Sequence, residues 1–501
     1  MTNNRLFFAC IISLVATAFG FIVRAFLINE WGILFNLTET QKGAIQGAGL
    51  FPFALSIILF SLVIDRVGYG RIMAVAWSLH IVSAMLTITA NTYTMLYIGT
   101  FLFALANGAV EAVINPATTT MYPKNKTHSL NILHAGWPGG LVLGGILAIL
   151  RSGFTGPDVW RYKIGLLLIP TVIYGLLMRG QKWPVQERVA HNVSYLGMLK
   201  EFGWGSCLIV TFFGAKALDE IAQNIFNVAL PAGVIILLVL VPTLFFVSRV
   251  RSFGRPIFIF LLLIMLFLAT TELGTDSWIA SLMTPVLKAF GENAGNWVLV
   301  YTSFIMFVLR FFAGPLVHRL NPLGLLACCS VVAMVGLLWL SNAGTTALAV
   351  FLAATLYGVG KSYFWPTTLG VVAEQFPRGG ALTINAIAGV GMIAVGVLGS
   401  PFLGVLQDKS LDVHLRQANP GLHAELAQPP QEKYLMTYRP LDKQKIEALA
   451  PEEKATVESI VSKTNQGTLA KVAILPAVMF FCYIGLIFYF RSRGGYRPVE
   501  L

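Results

Sequence analysis

Residues 107–118 read NGAVEAVINPAT, and residues 357–368 read YGVGKSYFWPTT. Offset by 250 residues, the two stretches share a glycine, a proline and a threonine at the same places. Each is followed by a short basic loop and then by a glycine-rich apolar stretch, at 136–145 and at 389–399. The chain therefore consists of two related halves in the same order, and a repeat of this length decides which folds are possible.

The composition argues against a soluble protein. Of 501 residues, 56% are hydrophobic and only 12% are charged, and the mean hydropathy is +0.73; a soluble domain has about 25% charged residues. Twelve helices of about 20 residues each fit within this length. The apolar stretches are continuous rather than alternating, which argues against a β-barrel. We therefore predict an all-α integral membrane protein.

The apolar segments predict twelve spans in two groups of six. The first group forms an N-terminal six-helix bundle, 1–178, and the second a C-terminal six-helix bundle, 256–490, followed by a short tail, 491–501. The predicted spans are 6–28, 44–64, 72–90, 93–121, 129–150, 161–178, 256–286, 295–316, 323–340, 345–375, 380–406 and 469–490.

The segment between the halves, 179–255, opens with a charged stretch that is typical of a cytoplasmic linker with an amphipathic helix. Two further apolar stretches follow, 204–229 and 231–248, and we favour an inserted membrane hairpin, which preserves the orientation of the second half. The charges of Lys216, Asp219 and Glu220 are expensive in hydrocarbon. The alternative is that 204–229 lies along the membrane surface.

The distribution of Lys and Arg predicts the orientation. Loops on the side of both termini carry most of these residues, so both termini are expected in the cytoplasm of a plasma membrane, the inner membrane in a bacterium. The long loop 407–468 then lies outside, and its sequence indicates no function. The opposite side holds five basic residues in short loops: Lys42, Arg151, Arg161, Lys163 and Lys288.

The sequence carries no motif for catalysis. Its five cysteines lie inside apolar segments without metal or redox spacing. Basic residues are spread between apolar runs, so a nucleic-acid partner is not expected. We expect no enzyme activity, cofactor or metal. The expected partners are a small solute, protons and the lipid bilayer, with the chain acting as a monomer.

A short turn occurs after the second span and again, in altered form, after the eighth. The first copy reads DRVGYGR at 65–71, and the second is GPLVHR at 314–319. With the two six-helix halves, this turn resembles the major facilitator superfamily. The resemblance implies two bundles related by a pseudo-two-fold axis and a turn that braces helix ends and tunes the open–closed balance. Its residues are Asp65, Arg66, Gly68 and Arg71, with Arg319 in the second copy.

Glu111 is the sharpest candidate for function, because an ionisable residue inside a span costs at least about 2.5 kcal/mol and is functional by default. Asn107 and Asn115 lie four residues to either side, so the three share one helix face. Lys361 is the repeat equivalent of Glu111 in the tenth span. We expect the two charges to pair, either as a proton-coupling pair or as a static brace between the halves.

The stretch EAVINP at 111–116, with Leu130 and Asn131 following, is similar to the fucose–galactose–glucose proton symporter family. In that family the glutamate of this motif is tied to proton coupling. The resemblance therefore implies that Glu111 carries a proton and that the solute is a sugar.

The seventh span holds two further acids, Glu272 and Asp276, on one helix face. Gly274 between them would allow the helix to break, as transporters do at their sites. We expect Arg24, in the repeat-related first span, to be the cationic partner of these acids. A functional and a structural role both remain open for the pair.

The remaining candidates combine flat apolar faces with amides, the mixture that a sugar site needs. Tyr357 and Trp365 share the face of Lys361, and His134 is expected to assist, whereas His80 is expected to be a packing residue. The other candidates for solute binding are Trp137, Trp278, Asn107, Asn115, Asn131, Asn385 and Gln46.

Together these features predict a secondary active transporter that couples inward proton movement to uptake of a small polar solute, a monosaccharide by preference. An alternative of the same fold is an organic-anion transporter, with Lys361 and Arg24 attracting the anion. A third is a membrane sensor that binds solute without moving it, with 407–468 as its output.

Overall fold

The computed structural model describes residues 4–37, 39–150, 156, 158–226, 228–291, 293–433, 436–442, 445–446 and 448–501. Arg151, which the orientation argument used, lies outside these residues. In this part of the chain, thirteen helical stretches are long and apolar enough to cross a membrane, and one shorter helix, Ala294–Arg310, is also apolar. The predicted all-helical membrane fold is confirmed, and every predicted span coincides with a helix or with two consecutive helices.

The N-terminal half contains the first six predicted spans. Three of these spans are each built from two consecutive helices: the second, the fifth and the sixth. The helices are α1 (Asn4–Leu34), α2 (Glu39–Ala48), α3 (Phe51–Val67), α4 (Tyr69–Ile88), α5 (Tyr93–Met121), α6 (Lys126–His134), α7 (Gly136–Leu150), α8 (Val159–Gly165) and α9 (Leu168–Met178).

The segment between the halves forms a short helix, α10 (Glu187–Ala190), and two long ones, α11 (Tyr195–Phe226) and α12 (Ala232–Val250). The long helices pack as a hairpin, with the Thr211 and Thr243 hydroxyls 3.1 Å apart. Gly203 has a left-handed φ of 73° that divides α11 into two helical parts. A side chain there would overlap Gly254. The hairpin is thus seen as two packed helices, and its membrane crossing stays a prediction.

The C-terminal half contains the other six predicted spans. In the seventh span, the expected break at Gly274 is instead a π-helical turn, Thr270–Gly274, and a second such turn, Val395–Gly399, lies in the eleventh. The helices are α13 (Pro256–Ala269), α14 (Thr275–Val286), α15 (Ala294–Arg310), α16 (Ala313–Leu340), α17 (Ala347–Lys361), α18 (Phe364–Gln375), α19 (Gly380–Ala394), α20 (Ser400–Ala418), α21 (Pro420–Leu426), α22 (Pro451–Val472) and α23 (Ile474–Arg491); two 3₁₀ turns, Lys288–Phe290 and Pro377–Gly379, join them.

The segment predicted as a long loop, 407–468, is largely folded. Helix α20 continues into it, α22 begins at Pro451, and strands β1 (Gln431–Lys433) and β2 (Met436–Tyr438) pair antiparallel between them. The reason is a small separate core of buried apolar side chains that helix periodicity brings together. Its buried members are Leu415, Leu422, Leu426 and Val457.

The glycine shared by the two repeated stretches explains part of the packing. A methyl group on Gly108 would overlap the main chain of Phe53 in α3, and one on Gly358 would come within 3.5 Å of Thr302 in α15. Helices α3 and α15 contain the second and eighth spans, which are repeat equivalents. Gly108 therefore permits a close contact between α5 and α3, whereas a methyl group on Gly358 would meet its neighbours at 3.3–3.5 Å without overlap.

Candidate functional site

A small cavity lies where the two halves meet. Its volume is about 20 Å³, which is room for about one water molecule, so a larger solute requires the halves to separate. Side chains from both halves line it. They are Glu111, His134 and Trp137 from the N-terminal half and Glu272, Leu273, Arg310, Trp365 and Met392 from the C-terminal half.

The Glu111 carboxylate belongs to the N-terminal side of this cavity and is 3% exposed. Asn115, one turn later on α5, donates from Nδ2 to Glu111 Oε2 at 3.1 Å. The Oδ1 atom of Asn115 lies 2.9 Å from His134 Nε2. Among the residues that the structure describes, no cation contacts the Glu111 carboxylate.

Arg310, at the end of α15, is the main cation of the site and is 1% exposed. Its Nη2 pairs with Glu272 Oε1 at 2.9 Å. Its other donors bind main-chain carbonyls, Nη1 that of His134 at 2.6 Å and Nε that of Ser362 at 2.7 Å. The second carboxylate oxygen of Glu272, Oε2, accepts a hydrogen bond from the main-chain N–H of Trp365 at 3.1 Å. The guanidinium therefore contacts both halves and an acid at once.

The predicted pairing of Glu111 with Lys361 is wrong. Lys361 forms a buried ion pair with Asp276 of its own half, and its Nζ lies 5.1 Å from the centre of the Tyr357 ring. Asp276 lies one turn beyond Glu272 and faces α17. Lys361 therefore points into the C-terminal bundle rather than across the cavity.

The predicted pairing of Arg24 with the acids of the seventh span is also wrong. Arg24 donates to Ser83 Oγ at 3.0 Å and lies 4.0 Å above the Phe103 ring. Both contacts are inside the N-terminal bundle. Glu272 is instead satisfied by Arg310, a residue that the sequence analysis did not single out.

The candidate solute residues divide into those at the cavity and those away from it. His134, Trp137 and Trp365 line the cavity, and Asn115 lies directly behind Glu111 and His134. Glu272 is present in the lining, whereas Asp276 is absent from it.

The other candidates make contacts elsewhere. Asn107 accepts a 2.8 Å bond from His80, which also contacts Tyr174, as expected for a packing histidine. Asn131 bonds to Thr127 O at 2.9 Å and, across the halves, to Thr367 Oγ1 at 3.2 Å. Of the remaining four, Asn385 donates a hydrogen bond to Ala112 O, and the Tyr357 hydroxyl donates one to Thr271 O. Trp278 packs against Gly404, and Gln46 is exposed on α2.

The sequence matches one family model, that of the Major Facilitator Superfamily, over residues 6–274. The match covers more than half of the chain, and the two six-helix halves around a central cavity agree with it. The chain belongs to the major facilitator superfamily. It is a secondary transporter of small solutes in a membrane rather than an enzyme.

Solved structures of other superfamily members share the fold at low sequence identity. The fucose:proton symporter FucP of E. coli is 16% identical with a TM-score of 0.56, covering 95% of this chain and 98% of that one. The proton:xylose symporter XylE is 12% identical with a TM-score of 0.62, and the alignment covers 95% of each chain. The human organic anion transporter TETRAN is 11% identical with a TM-score of 0.60, and the alignment covers 96% of this chain and 99% of that one. A search of curated proteins found no match.

The turn that the superfamily resemblance assigned to bracing lies on the face that holds both termini, here called the terminal face. Asp65 forms an ion pair with Arg188 of α10, and the Arg66 guanidinium lies 5.5 Å from the Tyr195 ring. Gly68 has a φ of 88° between α3 and α4. Arg71 and Arg319 are exposed. The role of these residues in tuning the open–closed balance stays a prediction, and the Arg188 partner was missed because it lies far away in sequence.

On the terminal face, the N-terminal and C-terminal halves are joined through Glu374 at the end of α18. Thr127 of the N-terminal half donates from its hydroxyl to Glu374 Oε1. The C-terminal tail holds the same residue, with Tyr496 donating to Oε2 and the Val499 N–H to the main-chain carbonyl, both at 2.8 Å. Burial, reinforced by the Glu374 carboxylate, raises the pKa of Tyr496 well above its ordinary value, so the hydroxyl stays protonated and can donate.

Proposed function

We propose that this transporter couples inward proton movement to the uptake of a small, neutral, polar solute, a monosaccharide by preference, by alternating access between two rocking halves. The observation that carries the proposal is the Glu111 carboxylate, which lines the cavity without a cation among the described residues and faces the Arg310–Glu272 pair. The basic loops predict cytoplasmic termini, and net uptake follows the inward direction of the proton movement.

The proton step follows from the surroundings of Glu111. The proton occupancy of a carboxyl group depends on its access to water and on the charges near it. Rocking changes both, because it opens the cavity to one side and moves the Arg310–Glu272 pair relative to α5. A proton can drive transport only if it binds one state better than the other. The position of Glu111 at the seam between the halves supplies such a difference.

The chemistry of the lining supports a neutral solute. Two carboxylates, those of Glu111 and Glu272, face one guanidinium. Trp137 and Trp365 offer apolar faces from opposite halves, and Asn115 and His134 offer hydrogen-bonding groups beside them. FucP and XylE, which share the fold, are described as sugar:proton symporters.

The same charges weigh against the organic-anion alternative, although TETRAN shares the fold. Arg24 lies within the N-terminal bundle, Lys361 is paired with Asp276, and Arg310 is paired with Glu272. Among the described lining residues, every cation already has an acid partner. An entering anion would have to displace a buried carboxylate, which costs several kcal/mol.

Solute-induced proton uptake in proteoliposomes tests the proposal. The purified chain is reconstituted, and the external pH is followed as monosaccharides and, separately, small carboxylates are added. We expect alkalinisation outside with at least one monosaccharide and none with carboxylates. A signal with carboxylates alone supports the anion transporter, and solute binding without flux supports the sensor; either result contradicts the proposal.

A further inference from the structure

Three prolines lie where the two halves meet: Pro116 inside α5, Pro138 as the third residue of α7 and Pro366 as the third residue of α18. A proline has no N–H, so the carbonyl four residues earlier in the chain lacks the main-chain partner that an α-helix would give it. A buried carbonyl without a partner costs free energy. The carbonyls freed in this way belong, in the same order, to Ala112, His134 and Ser362.

Each freed carbonyl accepts a hydrogen bond from a buried side chain. Asn385 Nδ2 donates to Ala112 O at 2.9 Å, and Arg310 donates to His134 O at 2.6 Å and to Ser362 O at 2.7 Å. The first two bonds run from the C-terminal half to the N-terminal half. Two prolines of the N-terminal half, Pro116 and Pro138, thus coincide with two contacts between the halves.

The bonding of the two donors shows how closely they depend on these acceptors. Asn385 is fully buried, and among the described residues its Oδ1 has no hydrogen-bond partner, so the bond to Ala112 O orients the side chain. Arg310 has five N–H donors in a planar fork, and both carbonyls and Glu272 lie in directions that this fork can reach. When the halves separate, water or solute must replace these bonds.

We propose that Pro116 and Pro138 are positioning residues that create the main-chain acceptors by which the N-terminal half holds Asn385 and Arg310, and that the halves separate by breaking these two contacts. The inference concerns the closing of the halves and does not depend on the proton or on the identity of the solute.

Replacing Pro116 or Pro138 by alanine tests the role of these prolines without changing any side chain that lines the cavity. In Pro116→Ala, the new N–H bonds to Ala112 O within α5 and competes with Asn385 for this carbonyl, which weakens the contact between the halves. Spin labels at Lys124 and Arg378 report on the terminal face, and labels at Tyr162 and Leu348 on the opposite face, since all four are exposed. The native cysteines are replaced by alanine in the full chain, and the distances are measured by pulsed electron paramagnetic resonance.

We expect Pro116→Ala and Pro138→Ala each to add a longer distance at one face, with about a tenfold rise in the ratio of open to closed molecules, the size expected for one buried hydrogen bond. Pro242→Ala is the matched control, because Pro242 lies inside α12 of the hairpin. It should leave both distances unchanged.

A double-mutant cycle identifies the pair of groups involved. Asn385→Leu should give the same shift as Pro116→Ala, and the two changes together should add nothing further. Shifts that add up would mean that the two residues act separately and would overturn the proposal. It is also overturned if both distances in Pro116→Ala and Pro138→Ala stay as in the parent chain.

Discussion

Arg310 in the C-terminal half donates a 2.6 Å hydrogen bond to the main-chain carbonyl of His134 in the N-terminal half. The same guanidinium pairs with Glu272 at 2.9 Å. One cation therefore satisfies an acid of its own half and closes a contact with the other half. Any movement that pulls the halves apart must also change the surroundings of the Glu272 carboxylate.

Arg310→Lys should fold but lose transport. Lysine keeps the charge that pairs with Glu272, but a single ammonium group cannot reach the two carbonyls in the fixed geometry of a guanidinium. We expect solute exchange in proteoliposomes to fall at least about tenfold, the effect of about 1.4 kcal/mol. Arg24→Lys, a change to a buried arginine whose contacts lie within one half, is the control. Unchanged exchange in Arg310→Lys would contradict the assigned contact.

Lys361→Met should destabilise the protein more than Lys361→Met combined with Asp276→Asn. The single change leaves a buried carboxylate without its partner, a loss of about 3–5 kcal/mol, whereas replacing both partners removes the uncompensated charge. Thermal unfolding in detergent measures the difference. Proton coupling should survive in the double variant, because Lys361 does not contact Glu111; its abolition there would restore Lys361 as the working partner of Glu111.

Trp137→Ala should weaken solute binding without removing proton coupling. A ring that stacks on a solute contributes about 0.5–1.5 kcal/mol, so the half-saturating concentration should rise roughly two- to twelvefold. Trp278 packs against Gly404 and does not line the cavity. Trp278→Ala is therefore the matched control, and an equal effect of both changes would place the solute elsewhere.

Tyr496→Phe should loosen the contact at the terminal face. The change removes the hydroxyl that donates to Glu374 Oε2 at 2.8 Å, and a hydrogen bond to a charged group contributes about 1.5–3 kcal/mol. The label pair at Lys124 and Arg378 should show a longer distance. Tyr489→Phe, on the last helix, is the control. Identical distances in both variants would mean that the Tyr496 bond does not support the contact between Thr127 and Glu374.

The sequence predicted the fold and one side of the site because both depend on local pattern. Hydropathy located every span, and the repeated glycine at 108 marked a close contact between α5 and α3. The face shared by Glu111 and Asn115 follows from helix periodicity, and the bond between the two side chains confirms it. These features require only residues that are near one another in sequence.

The partners of the charges could not be predicted in this way. Repeat symmetry aligned Glu111 with Lys361, yet Lys361 turns toward Asp276, because the rotation of α17 is fixed by packing within its own bundle. Arg310 was missed although it lies inside the predicted span 295–316, where a charged residue is a candidate for function. A usable signal existed in Pro138 and Pro366, each of which frees a carbonyl that a buried donor must satisfy.

Glu111→Gln tests the central claim most directly. Glutamine keeps the shape and the bond to Asn115 but cannot bind and release a proton. In proteoliposomes with an imposed proton gradient, we expect this variant to lose solute accumulation above equilibrium while it still exchanges solute across the membrane. Glu30→Gln, which removes a carboxylate that pairs with Lys163 at 3.4 Å, should accumulate solute like the parent chain. Accumulation by Glu111→Gln equal to that of the parent chain would contradict the account.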